Sequence, residues 1–332
     1  MQIKKITKLL VANRGEIAVR ILRACNELDI RTVAIYTFED RYSLHRYKAD
    51  EAYQVGKDDD PLKPYLDIEG IINIAKEAGA DAIHPGYGFL SENFEFAKRC
   101  RENNIIFIGP DPEVMQQLGD KVMAKAIATK CNVPQIESSR ELLTDLNIAA
   151  SEAARIGFPV MLKAAAGGGG RGMRVIRNEA ELSNSFPEAK REAKNAFGDD
   201  TVFFEKFIES PKHIEVQIVA DRHGNVMHLF ERDCSLQRRF QKIVEVAPSF
   251  NLAQAAKQQL YQYAVAICKE VGYNNIGTVE FLVDKDSKVY FIEVNPRIQV
   301  EHTVTEMITG VDLVKTQIHI AQGHSLHDDV IC

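Results

Sequence analysis

With 332 residues, 45% of them hydrophobic and 27% charged, the chain has the length for roughly two globular domains and no compositional mark of disorder. Its net charge of -6 argues against nucleic acid as the main partner, and no apolar run reaches the ~18 residues of a membrane-spanning helix. The six cysteines, at 25, 100, 131, 234, 268 and 332, include no C-x-x-C; they indicate neither a zinc site nor a disulfide framework and fit a reducing cytoplasm.

The first third alternates strand and helix. "ITKLLVA" reads as a strand, and the charges at Arg14 and Glu16 follow it too soon for a signal peptide. Ile17, Ile21, Ala24, Cys25 and Leu28 then recur on one face of a helix. "RTVAIYT", "ADAIHP" and "NIIFIGP" are further strands, separated by the helices "DIEGIINIAKEA" and "ENFEFAKRCREN". Such alternation predicts a doubly wound α/β domain, an open and mostly parallel sheet with right-handed crossovers. The first turn, "ANRGEIA", carries a single glycine and lacks the dinucleotide fingerprint. "HPGYGFLSEN" falls at a strand's carboxyl end, where ligands of such sheets sit.

A helical stretch, "DPEVMQQLGDKVMAKAIATKCN", leads to a boundary at Val133-Pro134, and a small α/β unit runs from there to about Phe207. It holds "PVMLKAAAGGGGRGMRVIR", with four consecutive glycines, Gly167 to Gly170. Gly167, Gly169 and Gly172 match G-x-G-x-x-G by count, but the strand-like "MRVIR" follows where a helix is required. Met173 stands where a nucleoside-triphosphate P-loop needs lysine. The segment therefore reads as a glycine-rich turn between two strands. Its exposed N–H groups, with Lys163 and Arg171, suit anionic oxygens; a flexible linker is the alternative. A small loop-bearing unit between two larger ones suggests a lid over a cleft.

Beyond it, "HIEVQIVAD" and "VMHLFERDC" flank Arg222-His223-Gly224-Asn225 as a hairpin. The helix "AQAAKQQLYQYAVAICKEVG" precedes a second hairpin, "GTVEFLVDKDSKVYFIEVNPR". Glu280 and Glu293 lie inside its apolar strands, where carboxylates are costly. A two-residue turn at Asp286-Ser287 would set them directly opposite each other, and like charges there destabilise a sheet. A divalent cation removes that conflict, and Asn295 on the face of Glu293 completes an oxygen-rich set of the kind magnesium prefers. A staggered register, with each acid facing solvent or a separate arginine, is the alternative. If the chain stays extended, Arg297, Gln299 and Glu301 continue the same face, a cation, an amide and a carboxylate able to bind a small planar anion and move its proton. The basic run "CSLQRRFQK", with Arg238, Arg239 and Lys242, reads equally as a solvated turn or an anion site. His213 and Lys121 carry no signal alone. Lys163, the glycine loop, the Glu280 set and the Arg297/Glu301 pair together describe a triphosphate, its magnesium and an acceptor anion.

These runs occur together in one family. "KLLVANRGEIAVRILRAC", "AIHPGYGFLSEN", "GDKVMAK", "GGGGRGMRV", "ERDCSLQRR", "GTVEF" and "RIQVEHTVTEMITG" make the chain resemble, over its whole length, the biotin carboxylases of the ATP-grasp superfamily. "SLHRYKADEAYQVG", "VEVAPS" and "FIEVNPR" followed by "EHTVTEM" are similar to the amino-terminal part of a multidomain carboxylase rather than to stand-alone subunits of acetyl-CoA carboxylase. A separate acyl-CoA carboxylase subunit is the alternative of the same chemistry; a catalytically incomplete ATP-binding module is the alternative of another class.

The resemblance implies a Rossmann-like pre-ATP-grasp domain over 1–118 and an ATP-grasp domain over 119–332, with the glycine-rich lid at about 135–207. It implies a ligase that carboxylates biotin from bicarbonate and ATP by way of carboxyphosphate. Lys121, Lys163 and the loop of Gly167, Gly168, Gly169 and Gly170 would hold the ATP phosphates. Glu205, Lys206 and Ile208 would meet adenine, and His213 and Gln237 the ribose. Glu280, Glu293 and Asn295 would hold magnesium or manganese. Lys242, Arg297, Gln299 and the backbone of Val300 would hold bicarbonate, and Glu301 would take its proton, so that Glu301, Arg297 and Lys242 form the catalytic set. Tyr87 would lie near the biotin ring. No Met-Lys-Met occurs, so biotin would be carried covalently on another domain or protein. A biotin carboxyl carrier domain, a carboxyltransferase domain and further copies of the full-length enzyme are the implied partners. Two features depart from the family pattern: Phe240 stands where the family has histidine, and the family's domain continues for about a hundred residues past Cys332. That continuation includes an arginine that stabilises the biotin enolate and much of the dimer surface.

Overall fold

The computed structural model describes residues 3–57, 60–165, 173–238 and 241–331. Its first unit runs β1 (Lys8–Val11), α1 (Gly15–Glu27), β2 (Arg31–Tyr36), α2 (Leu44–Lys48), β3 (Glu51–Gln54), α3 (Ile68–Glu77), β4 (Ala82–His84), α4 (Phe94–Glu102) and β5 (Ile106–Phe107). The strands pair in parallel in the order β3-β2-β1-β4-β5, the doubly wound sheet that the alternation predicts. Helix α1 buries Ile17, Ile21, Ala24 and Cys25 against it, whereas Leu28, expected on that face, caps the helix and is half-buried. Strand β3 has no counterpart in the sequence reading: "EAYQ" is a short edge strand that alternates half-buried and exposed residues.

Strand order reverses at β1, with β2 on one side and β4 on the other, so the turns after β1 and β4 lie side by side. The Asn13 amide clasps them, donating to the carbonyls of Pro85 (2.7 Å) and Tyr87 (2.8 Å). Gly86 has φ +64°, and a Cβ on it would come within 2.9 Å of Asn13 Nδ2, so the HPGYG turn needs glycine there.

The predicted single helical stretch after β5 is two helices, α5 (Pro112–Gly119) and α6 (Lys121–Lys130). Gly119 weakens the first, and the Asp120 carboxylate caps the second by accepting the N–H groups of Val122 (2.8 Å) and Met123 (2.9 Å). The break puts Lys121 at the first helical position. Asp120→Ala is expected to cost about 1 kcal/mol, read as a lowered urea midpoint with unchanged m-value; an unaltered midpoint would show the cap to be idle.

The small unit contains α7 (Leu146–Ile156), β6 (Val160–Ala164), β7 (Arg174–Ile176), α8 (Glu179–Phe197) and β8 (Val202–Lys206). Its antiparallel sheet has the order β7-β6-β8 and a core of its own, in which Leu143, Ile156, Leu162, Leu182, Phe186 and Phe204 pack together. The expected strand-loop-strand is present, β6 pairing with β7; the glycines at 167–170 lie outside the described residues, as do Arg171 and Phe240.

The last unit has β9 (Lys212–Ala220), β10 (Val226–Arg238), β11 (Gln241–Val246), α9 (Gln254–Glu270), β12 (Asn275–Val283), β13 (Val289–Asn295), α10 (His302–Thr309) and α11 (Leu313–Gln322). Its antiparallel sheet is ordered β11-β10-β9-β12-β13 and packs one face on α9. The run "CSLQRRFQK", left open between a solvated turn and an anion site, belongs to the β10–β11 hairpin, of which Arg239 lies outside the described residues.

One core joins the first and last units: Ile17, Ile21 and Leu22 of α1 pack with Ile276, Ile298, Leu313 and Ile318. Buried His84 reaches Gln317 of α11 at 3.1 Å. This joint brings the loop after β4 to the segment after β13. Among the described residues no helix is long and apolar enough to cross a membrane.

Candidate active site

Three carboxylates stand in a row across neighbouring strands. Register sets Glu215 of β9 opposite Glu280 of β12, and Glu280 opposite Glu293 of β13. The Glu280/Glu293 pairing is the one expected from the hairpin, but its cause differs. The loop spans 284–288, closed by Asp284 N–H to the Lys288 carbonyl at 3.0 Å, and a register shift between Glu280 and Phe281 supplies the remaining step.

Three adjacent negative charges need compensation. Arg232 of β10 faces Glu215 and bonds its Oε1 at 2.5 Å; both side chains are 0% exposed. The same guanidinium donates to Gln217 Oε1 (2.9 Å), Thr305 Oγ1 (2.7 Å) and Thr278 Oγ1 (3.3 Å), so each of its three buried nitrogens has a partner. Burial would raise the Glu215 carboxyl, but Arg232 and Lys242 outweigh it and hold the carboxyl below its ordinary range. Burial likewise opposes ionisation of Glu280, yet the His213 hydrogen bond (2.6 Å) and the Lys242 ammonium bring its carboxyl down to about 2.

Glu293 has no such partners among the described residues. Its side chain is exposed, and the loss of hydration against the surrounding protein, then the Glu280 charge, lift its carboxyl above the usual range, opposed by Lys121. A carboxylate pair with one member unrelieved fits a magnesium or manganese ion; the Asn295 amide beside it donates from Nδ2 to Glu280 Oε1 at 2.9 Å, and its Oδ1 is the oxygen it would offer a metal. Glu215, Cys234 and Glu301 also approach one another closely enough to suggest a metal, but the Lys242 ammonium already bonds both carboxylates, and burial pushes the Cys234 thiol up.

Lys242 is the hub. From β11 its ammonium reaches Glu215 Oε2, Glu280 Oε1 (3.0 Å) and Glu301 Oε1 (2.9 Å). Burial alone would lower its pKa; the three carboxylates raise it instead.

The segment after β13 does not stay extended, which corrects the expectation of a continued strand face. Pro296 has no N–H to offer a ladder, and the chain turns through Gln299 so that Glu301 takes the position just before α10, its side chain making no cap bond there. The turn still gathers the expected residues. Arg297 donates from Nη1 to Gln299 Oε1 (3.0 Å) and from Nη2 to Asn295 Oδ1 (3.3 Å), while its Nε pairs with Glu92 of the loop after β4. Gln299 is 5% exposed and its buried Nε2 has no partner among the described residues, an unspent donor beside a guanidinium, as an anion site would have. Val300 is 60% exposed at the same turn.

The expected nucleotide residues divide. His213 and Gln237 come together: Gln237 Nε2 donates to His213 Nδ1 at 2.8 Å, which leaves His213 Nε2 to donate to Glu280. Lys163 and Lys125 both bond the buried carboxylate of Glu205, the latter at 3.0 Å. The Glu205 carboxylate, which the resemblance places toward adenine, bridges the small unit to α6, held ionised against burial by Lys163 and Lys125. The Lys206 ammonium is spent on the carbonyls of Gly157 (2.7 Å) and Phe158 (3.1 Å), so its side chain buttresses the small unit. Ile208 is half-buried just beyond β8, and Tyr87 is half-buried in the HPGYG turn.

Sequence reading missed Glu92, Glu215, Arg232 and Thr305. Glu215 in "HIEVQIV" and Arg232 in "LFERDC" carry the signal that exposed Glu280, an ionised side chain within an apolar strand. Glu92 and Thr305 carry none, because their partners are remote in sequence.

Known proteins match the chain along nearly its whole length. A family model described as "Biotin carboxylase, N-terminal domain" matches residues 5–115, and one described as "Carbamoyl-phosphate synthase L chain, ATP binding domain" matches 120–329. Pyruvate carboxylase of Bacillus subtilis is 59% identical over 98% of this chain, which spans 28% of that protein's length. A biotin carboxylase from Campylobacter jejuni, solved in complex with a nucleotide described as beta-gamma-ATP, is 46% identical with a TM-score of 0.91 over 98% of this chain and 72% of that one. The biotin carboxylase domain dimer of Hydrogenobacter thermophilus 2-oxoglutarate carboxylase, in complex with MgADP, ADP and bicarbonate, is 51% identical with a TM-score of 0.90, covering 100% of this chain and 73% of that one. Matched from its parallel sheet through its last helix, the chain belongs to the biotin carboxylase family of ATP-grasp enzymes.

Proposed function

We propose that the chain carboxylates biotin from bicarbonate and ATP as the biotin carboxylase part of a pyruvate carboxylase. The observation that carries this reading is the junction at Lys242, where a carboxylate pair suited to a divalent cation adjoins a turn with an unspent buried amide, a guanidinium and a carboxylate. The pyruvate carboxylase likeness, and the bicarbonate-bound relative, support it from outside the molecule.

In this reading Lys121 and Lys163, with the glycines at 167–170, hold the ATP phosphates; Glu205, Lys206 and Ile208 lie toward adenine, and His213 with Gln237 toward the ribose. Glu280, Glu293 and Asn295 hold magnesium or manganese, which when bound neutralises triphosphate charge. Lys242, Arg297, Gln299 and the Val300 backbone fix bicarbonate so that an oxygen faces the γ-phosphorus, and Glu301 takes the bicarbonate proton. Tyr87 lies toward biotin, delivered by a carrier domain and serving a carboxyltransferase domain in a homo-oligomer. A cytoplasmic location, which the cysteine spacing suggests, belongs to the same proposal.

The test is ADP release from Mg-ATP by the full-length protein, with and without bicarbonate. Bicarbonate-dependent release stimulated by biotin is expected; release indifferent to both overturns the reading. Glu293→Gln is expected to weaken magnesium-dependent nucleotide binding by on the order of tenfold or more while leaving metal-free binding unchanged, measured by calorimetry. Equal magnesium dependence in both proteins removes Glu293 from the metal site.

A further inference from the structure

An ammonium has three N–H groups, and all three of Lys242 are committed to carboxylates, those of Glu215, Glu280 (3.0 Å) and Glu301 (2.9 Å). An anion can therefore reach Lys242 only when one carboxylate gives way. The three differ in what else holds them. Glu215 is fully buried in mid-sheet and bonded by Arg232 at 2.5 Å, with no room to retreat. Glu301 is buried at the head of α10, beside the turn that carries Gln299. Glu280 lies between two carboxylates, Glu215 on one side and Glu293 on the other; His213 bonds its Oε2 at 2.6 Å, and its Oε1 is already shared between Lys242 and the Asn295 amide at 2.9 Å. A divalent cation between Glu280 and Glu293 competes for that oxygen, and it competes for neither Glu215 nor Glu301.

We infer that Glu280 is a relay: a cation drawn to the Glu280/Glu293 pair loosens Glu280 from Lys242 and frees an N–H for bicarbonate, so that the anion binds well only after the metal. This rests on the proposed assignment of the two sites. It goes beyond simple neighbourhood, because it makes the free protein hold its own bicarbonate lysine shut with the metal's carboxylate. Linkage then requires bicarbonate to tighten the metal by the same factor, on the order of ten- to a hundredfold. The useful consequence is order: the acceptor is gripped only where a metal-bound triphosphate is present to react.

The test measures bicarbonate affinity rather than turnover, by carbon-13 line broadening or calorimetry on the full-length protein with and without Mg-ADP. Wild type is expected to bind bicarbonate about tenfold or more tightly with Mg-ADP. Glu280→Gln, which removes the competing charge, is expected to bind bicarbonate without metal about tenfold more tightly than wild type, a gain that a damaged fold does not produce. Glu293→Gln, which leaves Glu280 on Lys242, is expected to keep wild-type metal-free affinity. Glu280→Asp, which withdraws the oxygen but keeps the charge, is expected to give part of the gain and guards against an idiosyncrasy of the glutamine. If metal-free affinity stays at the wild-type level in both Glu280 variants, while Lys242→Met abolishes binding with Mg-ADP, the relay is overturned and the bicarbonate site stands. If wild type with Mg-ADP binds no bicarbonate at all, the proposed function itself fails, and the relay with it.

Discussion

Glu301→Gln in the full-length enzyme is expected to lower bicarbonate-dependent ADP release by about 10²- to 10⁴-fold while Mg-ATP binding stays at the wild-type level. The amide keeps the size of the side chain and can still accept from Lys242, now 2.9 Å from Oε1, but it cannot take a proton. The other groups around Lys242 are poor substitutes. Glu280 is brought to about 2, which makes it a weak base, and Glu215 is held ionised inside the sheet by Arg232 and Lys242. Lys242 itself is kept protonated by its three carboxylates, and the Cys234 thiol is kept protonated by burial. Loss in kcat with unchanged nucleotide affinity assigns the proton to Glu301. Undiminished turnover would remove Glu301 from the chemistry and leave it a partner of Lys242.

The second large effect is on stability. Arg232→Met is expected to cost about 3–5 kcal/mol, because it strands Glu215 in a wholly buried position with Lys242 as its one remaining cation. The double variant Arg232→Met with Glu215→Leu is expected to recover most of that loss, since an apolar pair of similar volume avoids desolvating two charges. Denaturant midpoints of the two singles, the double and wild type close the cycle. A single-variant loss below about 1 kcal/mol would mean that the pair is not the electrostatic anchor of the sheet. The double variant is also expected to be inactive although stable, because Lys242 then loses the contact that fixes it over Glu280 and Glu301. The arginine thus earns its place as a positioning residue, and stability alone would not require it.

Much of the architecture is written locally. The alternation from "ITKLLVA" to "NIIFIGP" specified the parallel sheet because a helix stripe and a strand each need only their own period to declare a buried face. Glu280 and Glu293 were legible for the same reason, since an acid inside an apolar strand conflicts with its neighbours in sequence. Short elements were not: β3 buries too little to leave a period, and β11 is largely solvated on its outer positions, so "QKIVEV" showed no alternation to read. The extended path proposed for 297–301 failed at Pro296, where the lost N–H ends the ladder and the turn toward α10 begins.

By itself the sequence determined which residue types are present and which face of each element is apolar, and through its runs of identity it determined the family. Only the tertiary structure decided which charges meet. Arg232, Glu215, Glu280 and Glu293 come from four strands whose register is set by packing on α9 and by the shift beside Phe281. Lys242 finds Glu301 across 59 residues and Arg297 finds Glu92 across 205, the latter through the core that joins α1 to α11. A local pattern fixes a side chain's face but not its partner across a sheet or a domain joint, because that partner is chosen by the burial of apolar surface elsewhere in the fold.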